Sequence, residues 1–371
     1  MANRARGGAL SLVAWGLLHA CAPDAVGSGA AADLGAARAE FVNGADDRRE
    51  YFEVTEDAER APFEQSLVAL VPLFNARELS QGNEKALSTW GEVNGLCEGE
   101  PYLDQPSASF CSGVLVDWDL VLTSGHCVNV VPLSNLRIVF NYYYRQPGEL
   151  AVSEGDIYEV EEVVTSRTDR DLNAPRLDFG WLRLKKRVQE PHRPARLQTG
   201  SPDTALGDAV ISISAGGGAP LKLDAGGQVL DLRAETNDYF IADTDTSEGS
   251  SGGAAFTEDL TLLGTLARGA PDFVRTDTGC WTTDHASSPL EAREQFTYFY
   301  RSVQGLCEQD QSSRLCDSSC RDSPCDPPPR PDSDGAIDTD GCSLGELPNS
   351  SRATGLGLGL GSLLLLLRRR R

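Results

Sequence analysis

Short β-type runs constrain this chain most. From residue 66 onward they recur at 66–71, 112–116, 120–122, 136–144, 160–164, 181–184, 209–213, 229–232 and 262–267, parted by clusters of Gly, Pro, Asp and Asn. A strand this short buries too little apolar surface alone and must be paired by several neighbours. Parallel pairing would need a crossover helix between successive strands, and no alternating helical pattern supplies one. The chain therefore reads as all-β, an antiparallel barrel or a sandwich. Only 289–304 reads as a helix, late in the sequence. With 371 residues and 40% apolar content, there is enough chain for one large or two modest domains around a real core. Disorder throughout and a fibrous repeat are both excluded.

The 33 basic against 55 acidic residues give a formal charge of -22. Nucleic acid is excluded as a partner on that balance, because phosphate backbones need clustered Lys and Arg. The one dense basic cluster, 368–371, follows the leucines of 363–367 and reads as a membrane-flanking signal. At the other end, Arg4 and Arg6, the apolar run 9–18 and a small residue before Cys21 have the layout of a secretory signal over 1–21. Two cleavages stay open there. Leu18-His19-Ala20-Cys21 resembles a bacterial lipobox with a lipidated Cys21, and Ala20-Cys21-Ala22 fits ordinary small-x-small cleavage. The Gly/Leu stretch 353–367 is shorter than the roughly 17 to 25 residues of a spanning helix. Gly341-Cys342-Ser343, a polar spacer, that apolar stretch and the terminal arginines resemble the myxobacterial C-terminal sorting signal, whose tail is removed at the cell surface. A simple tail anchor is the other reading. Both imply an exported body, attached to a membrane or cell surface through processed termini or released outside.

Between these ends, 22–59 is rich in Ala, Gly and Asp and reads as a leader or pro-segment, 60–302 as the main domain, 303–326 as a Cys-rich segment, 327–342 as a Pro/Asp-rich linker and 343–371 as the sorting tail. Ten cysteines beside four histidines and one methionine suit an oxidising compartment and disulfides more than metal sites. Asp332, Asp334, Asp338 and Asp340 lack the closing Glu of a calcium loop. No metal and no cofactor is expected.

Three local words carry chemistry. Thr123-Ser124-Gly125-His126-Cys127 follows a strand hairpin and sets a histidine beside a cysteine; a disulfide from Cys111 to Cys127 would close the hairpin and fix the imidazole that a general base requires. Alone, a histidine such as His126 is more often structural. Leu177-Asp178-Phe179-Gly180-Trp181 puts one acid at the start of an alternating strand, where it either orients an imidazole or caps a turn. Gly249-Ser250-Ser251-Gly252-Gly253 presents Ser251 on a tight turn whose Gly249 and Ser251 N–H groups can converge on a developing oxyanion; a flexible linker is the bland alternative.

Taken together, the order His, Asp, Ser and the words Thr-x-x-His-Cys and Gly-x-Ser-Gly-Gly resemble the chymotrypsin/trypsin-like serine peptidases over about 60–302. Asp243-Thr244-Asp245-Thr246 before the serine loop, and Gly44-Ala45-Asp46-Asp47-Arg48, look closest to the bacterial glutamyl endopeptidase branch. The resemblance implies two antiparallel β-barrels with a C-terminal helix and the site in the cleft between them. It implies His126 as general base, Asp178 as its orienting acid, Ser251 as nucleophile, an oxyanion hole at Gly249 and Ser251, and a disulfide between Cys111 and Cys127. Substrates would be proteins or peptides, and the enzyme a monomer.

Departures from the family are also legible. Ser250 stands where animal zymogens have the Asp that pairs with a freed N-terminus. Asp245 occupies the position that gives trypsin its basic preference, but the glutamyl branch shares it. Leu266 stands where that branch has the histidine of a Gly-x-His word. Asp245, Thr246, Leu266 and Arg268 form the candidate specificity pocket, with Arg268 either lining it or pointing to solvent. Eight cysteines remain once Cys21 and Cys342 are set aside as processing residues; beyond Cys111 and Cys127 the other six allow 15 connectivities, with Cys97 to Cys280 the first choice. An exported serine endopeptidase is the leading reading. The alternative is an inactive homologue that binds peptide or protein in the same cleft.

Overall fold

A computed structural model describes residues 42–43, 46–171, 175–269, 271–286 and 294–329. The segments read as addresses, 1–21 and 343–371, lie outside the described residues, as do 22–41 and 44–45 of the leader and 330–342 of the linker.

Six strands close the first barrel: β1 (Leu67–Pro72), β2 (Cys111–Asp117), β3 (Leu120–Thr123), β4 (Leu136–Phe140), β5 (Ile157–Thr168) and β6 (Asp178–Leu184), in the order β6-β3-β2-β1-β4-β5, with β5 pairing back to β6. A second antiparallel barrel follows from β7 (Ala209–Ser214), β8 (Lys222–Asp231), β9 (Tyr239–Ala242), β10 (Ala254–Phe256), β11 (Leu262–Arg268) and β12 (Glu294–Tyr298), ordered β7-β10-β11-β12-β9-β8 and closed by β8 on β7. The expected double barrel is the fold of this chain.

Alternation along the strands divides the core, since successive side chains face opposite sides of a sheet. Val68 and Leu70 of β1 join Leu115, Val121, Ile138, Phe140 and Leu182 in one cluster that fills the first barrel. The alternate positions Leu67, Ala69, Val71, Val114, Leu122 and Trp181 join Ile211, Ile213, Ala254 and Phe256 of the second barrel. Strands β1, β2 and β3 are thus apolar on both faces because one face fills their own barrel and the other meets its twin, whereas β5 leaves Glu159, Glu161 and Glu162 exposed.

Among the described residues, four α-helices flank the barrels: α1 (Asp57–Gln65), α2 (Leu73–Ser80), α3 (Trp90–Asn94) and α4 (Phe299–Gln309). The helix expected over 289–304 is corrected here. Residues 294–298 form β12, hydrogen-bonded to β9 on one side and β11 on the other, and the helix begins only at Phe299; 289–293 lie outside the described residues. Barrel closure outweighs local helical pattern at Glu294–Tyr298, where alternation of Phe296 and Tyr298 suits a strand. The helix α4 then docks on the first barrel, with the Trp181 indole donating to the Ser302 carbonyl at 3.0 Å.

The cysteines pair as Cys97–Cys280, Cys111–Cys127, Cys307–Cys316 and Cys320–Cys325. The Cys-rich segment lies against the barrels: Arg314 Nε donates to Asp117 Oδ2 at 2.8 Å, and Leu197 and Cys325 exchange main-chain bonds. Residues before position 60 also belong to this body, since Arg49–Glu50 adds to the second barrel by pairing with Lys222 and Leu223 of β8.

A buried polar lock joins α1, β4 and the entry to β5. Asp156 accepts from His192 Nε2 at 2.8 Å, Asn141 Nδ2 at 2.9 Å and Ser153 Oγ at 2.6 Å, while His192 Nδ1 lies 3.0 Å from the Glu64 carbonyl and its ring stacks on Phe140. Burial raises the Asp156 pKa, but hydrogen bonds from His192 and Ser153 outweigh it and hold it below the ordinary value. Its stabilising contribution is therefore complete at neutral pH and fades as pH falls below about 4 toward the depressed folded-state value. Asp156→Ala should cost about 3 to 5 kcal/mol at pH 7, as for one member removed from a buried pair. Urea unfolding at pH 7 and pH 3 checks this: the deficit should be smaller at pH 3, and an equal deficit at both would contradict it.

Candidate active site

β3 runs into a 3-10 turn, Gly125–Asn129, that carries His126. The turn fits because residue 125 has no side chain: a Cβ there would lie 2.1 Å from the Arg167 carbonyl oxygen and 2.7 Å from that of Phe179. The Cys111–Cys127 disulfide ties this turn to the start of β2. Asp178 opens β6 and is wholly buried. Its Oδ2 lies 3.0 Å from His126 Nδ1, and its Oδ1 accepts the His126 main-chain N–H at 3.2 Å. Both carboxylate oxygens address one residue. Because a carboxylate only accepts, the ring proton belongs on Nδ1, which leaves Nε2 as the basic nitrogen.

The turn of the third motif, 249–253, is built on main-chain contacts. Gly249 has φ 99°, a left-handed torsion that a side chain would strain. The Ser251 carbonyl accepts the Ser112 N–H of β2 at 2.7 Å, and Cys127 Sγ lies 3.9 Å from the same oxygen. The Leu266 carbonyl of β11 accepts from Gly252 N at 2.8 Å and also from the Ser124 hydroxyl. One acceptor therefore holds both the histidine turn and the serine turn. The turn that carries His126, with Asp178 against it, and the turn that carries Ser251 adjoin at the seam of the barrels, the first from one barrel and the second from the other.

The orientation of the 248–249 peptide is also fixed. The Glu248 carbonyl accepts the Gly217 N–H at 2.5 Å, and across a planar trans peptide the Gly249 N–H points the opposite way. Ser250, in place of an acid, stays within its own loop: its Oγ accepts the Ser247 N–H at 3.2 Å.

The four candidate pocket residues have different partners. Asp245 is buried, with its carboxylate accepting the Asp47 N–H at 3.1 Å and its own N–H donating to Asp224. Thr246 donates from Oγ1 to Glu294 Oε2 at 2.8 Å. Leu266 packs with Phe240 and Phe296 in the core of the second barrel, an apolar role at the position where the glutamyl branch carries its histidine. Arg268 faces neither solvent nor the other three. It is buried, 3.8 Å from Asp178 Oδ2, because main-chain carbonyls and that carboxylate together draw its guanidinium inward. Glu294, Ser247 and Asp272 stand beside Thr246 instead, and sequence alone had no motif to mark them. Glu294 opens β12 inside the misread helical stretch, and Asp272, which accepts the Glu248 N–H, follows β11 in an unpatterned loop.

Residues 46–48 clamp this loop from outside. Arg48 is buried against Asp46, with Nη2 to Oδ2 2.7 Å, donates from Nη1 to Ser247 Oγ at 3.3 Å and lies over the rings of Trp90 and Tyr102. Burial lowers the Arg48 pKa, but the hydrogen bond and charge of Asp46 more than reverse it, so the guanidinium stays charged. Nearby, burial pushes Lys222 down to about 8 against the opposing charge of Glu50. Arg48→Met would strand Asp46 and should cost about 3 to 5 kcal/mol. A chemical-denaturation midpoint equal to that of the parent would contradict this; adding Asp46→Asn to Arg48→Met should recover part of the loss.

Among the described residues, the one His/Cys/Asp/Glu group close enough to share a metal is Cys111, His126 and Cys127, and its two cysteines are consumed by their disulfide. The donor set left is a single imidazole already engaged by Asp178. Residues 111–264 match the family model of the trypsin-like peptidase domain, a span that begins at β2, takes in His126, Asp178 and Ser251, and ends within β11. This match and the double barrel together support a trypsin-like peptidase fold for this part of the chain.

Proposed function

We propose that this domain is an exported serine endopeptidase that hydrolyses peptide bonds through His126, Asp178 and Ser251. The observation that carries the reading is the His126 Nδ1 to Asp178 Oδ2 contact at 3.0 Å, with Nε2 left basic, at a turn that shares an acceptor with the Ser251 turn. In the proposed reaction, His126 Nε2 takes the hydroxyl proton as Ser251 Oγ attacks the scissile carbonyl. The carbonyl oxygen becomes an oxyanion, stabilised by the N–H groups of Gly249 and Ser251. The Glu248 carbonyl, bound by Gly217, supports that role by turning the Gly249 N–H away from Gly217. His126 then gives the proton to the leaving amine, an acyl-enzyme forms on Ser251, and water attacks it with the same base.

Asp178 stabilises the imidazolium formed midway and holds the ring in one orientation. Glutamyl preference does not follow from the branch resemblance, since Leu266 offers no imidazole and Arg268 is turned toward Asp178.

Digestion of a mixed peptide library by the correctly processed protein, read by mass spectrometry, tests the proposal. Internal cleavage absent from the Ser251→Ala variant is the expected result. Tight peptide binding without any cleavage would replace it with the inactive, peptide-binding reading, and turnover of esters alone would replace it with a non-peptidase hydrolase.

A further inference from the structure

Arg268 ends β11 in the second barrel, yet its guanidinium serves the first. Nη1 donates to the Arg176 carbonyl and Nη2 to the Asp169 carbonyl, each at 3.3 Å, and Nη2 stands 3.8 Å from Asp178 Oδ2. Asp169 and Arg176 lie on the two arms of the connection from β5 to β6, the connection that delivers Asp178. Those arms also bind one another, with Asp169 N donating to the Leu177 carbonyl at 2.9 Å and Leu177 N to Asp169 Oδ2 at 3.2 Å. One side chain thus pins both arms from across the seam. Its exposure is 8%, a costly position for a guanidinium unless the surrounding acceptors repay it. Burial lowers the Arg268 pKa and the Asp178 charge opposes that fall.

The oxygen that Arg268 approaches is the same Oδ2 that faces His126 Nδ1, while Oδ1 takes the His126 N–H. Resting on the proposed triad, the geometry points to Arg268 as a positioning residue that fixes the Asp178 carboxylate against His126 and offsets part of its negative field. Other charges around the pair are Arg176, whose main-chain N–H is held by Asp238, and Arg167 with Asp169 at the end of β5, paired to each other at 2.8 Å. Among the described residues, Arg268 is the one arginine or lysine within ion-pair distance of Asp178 Oδ2.

Two consequences differ from those of a merely structural arginine. A cation beside Asp178 weakens the carboxylate's hold on an imidazolium, so the acid limb of the rate profile lies at lower pH than Asp178 alone would set. Loss of orientation lowers the chemical step and leaves substrate binding alone.

The test compares Arg268→Met and Arg268→Lys in the full, correctly processed chain. In R268M, kcat at pH 7 should fall roughly 10- to 100-fold with KM little changed, and the acid limb should move up by about one pH unit. In R268K the limb should stay near the parent's, because the charge remains, with an intermediate rate, because the planar fork is lost.

A readout free of turnover is the downfield proton resonance of the His126 Nδ1–H bonded to Asp178, observed in the S251A background. It should persist with R268K and be lost or move upfield with R268M. If the parent cleaves peptides while R268M leaves limb, kcat and resonance unchanged, the positioning role is wrong and the peptidase reading stands. If the parent never cleaves but the resonance responds as stated, the peptidase reading is wrong and the positioning role stands. Should R268M not fold, R268Q keeps donors without charge, and the same upward shift of the acid limb decides.

Discussion

Ser251→Ala is expected to lower kcat by roughly a million-fold, leaving only the slow turnover that a bound, polarised carbonyl undergoes with water. The reason is chemical: alanine removes the oxygen that forms the acyl-enzyme, and no second hydroxyl is placed by the proposed mechanism to replace it. The fold should be indifferent. The Ser251 contacts that hold the turn are main-chain ones, its carbonyl to Ser112 N at 2.7 Å and the neighbouring Gly252 N to the Leu266 carbonyl, and alanine keeps both. Steady-state cleavage of a fluorogenic peptide, with a matched unfolding curve, checks the pair of statements. A variant that unfolds early, or that retains a hundredth of the parent rate, would count against the assignment.

Asp178→Asn should cost about 10⁴-fold in kcat through a different route. An amide at residue 178 can turn its NH₂ toward His126 Nδ1, which places the ring proton on Nε2 and removes the base that Ser251 needs. Both Asp178 oxygens are engaged by His126, one by the ring and one by the main chain, so the substitution disturbs tautomer and orientation together. Removing the carboxylate also leaves Arg268 buried beside a neutral group, and a loss of stability should accompany the loss of rate. Stability distinguishes this variant from Ser251→Ala: midpoints that fall equally in both would contradict the ion-pair account.

Much of this fold was legible because strand alternation and turn residues are local signals. Runs such as 112–116, 120–122 and 181–184 fall within β2, β3 and β6. Strands β9, β10 and β12 were not seen, and each owes its existence to neighbours more than to pattern. Ala254–Phe256 is three residues long and becomes a strand between β7 and β11, while Glu294–Tyr298 sits in a stretch whose period suited a helix. The N-terminal contribution was hidden for a related reason. Residues 46–50 look like leader composition, and only the buried Arg48 and the pairing of Arg49 and Glu50 with β8 reveal that the body includes them.

At the candidate site, His126, Asp178 and Ser251 each stand in a local word, and two of those words carry backbone demands beside the chemistry: glycines at 125, 249 and 252 mark close approaches and left-handed torsions. The partners of the pocket candidates were not readable. Those candidates were placed by position relative to Ser251, and where a long side chain goes depends on acceptors far away in sequence. Arg268 shows this most clearly, since its partners Asp169, Arg176 and Asp178 lie on another barrel. The Cys97–Cys280 pairing, chosen first among many, links segments 183 residues apart and rested on no local signal.

The central claim is that Ser251 is an activated nucleophile. Incubating the correctly processed protein with a fluorophosphonate probe, then locating the adduct by mass spectrometry, measures it directly. The account predicts one covalent adduct on Ser251, absent in Ser251→Ala and slowed greatly in Asp178→Asn. A folded, processed protein that takes no label, or takes it equally in the alanine variant, would contradict it.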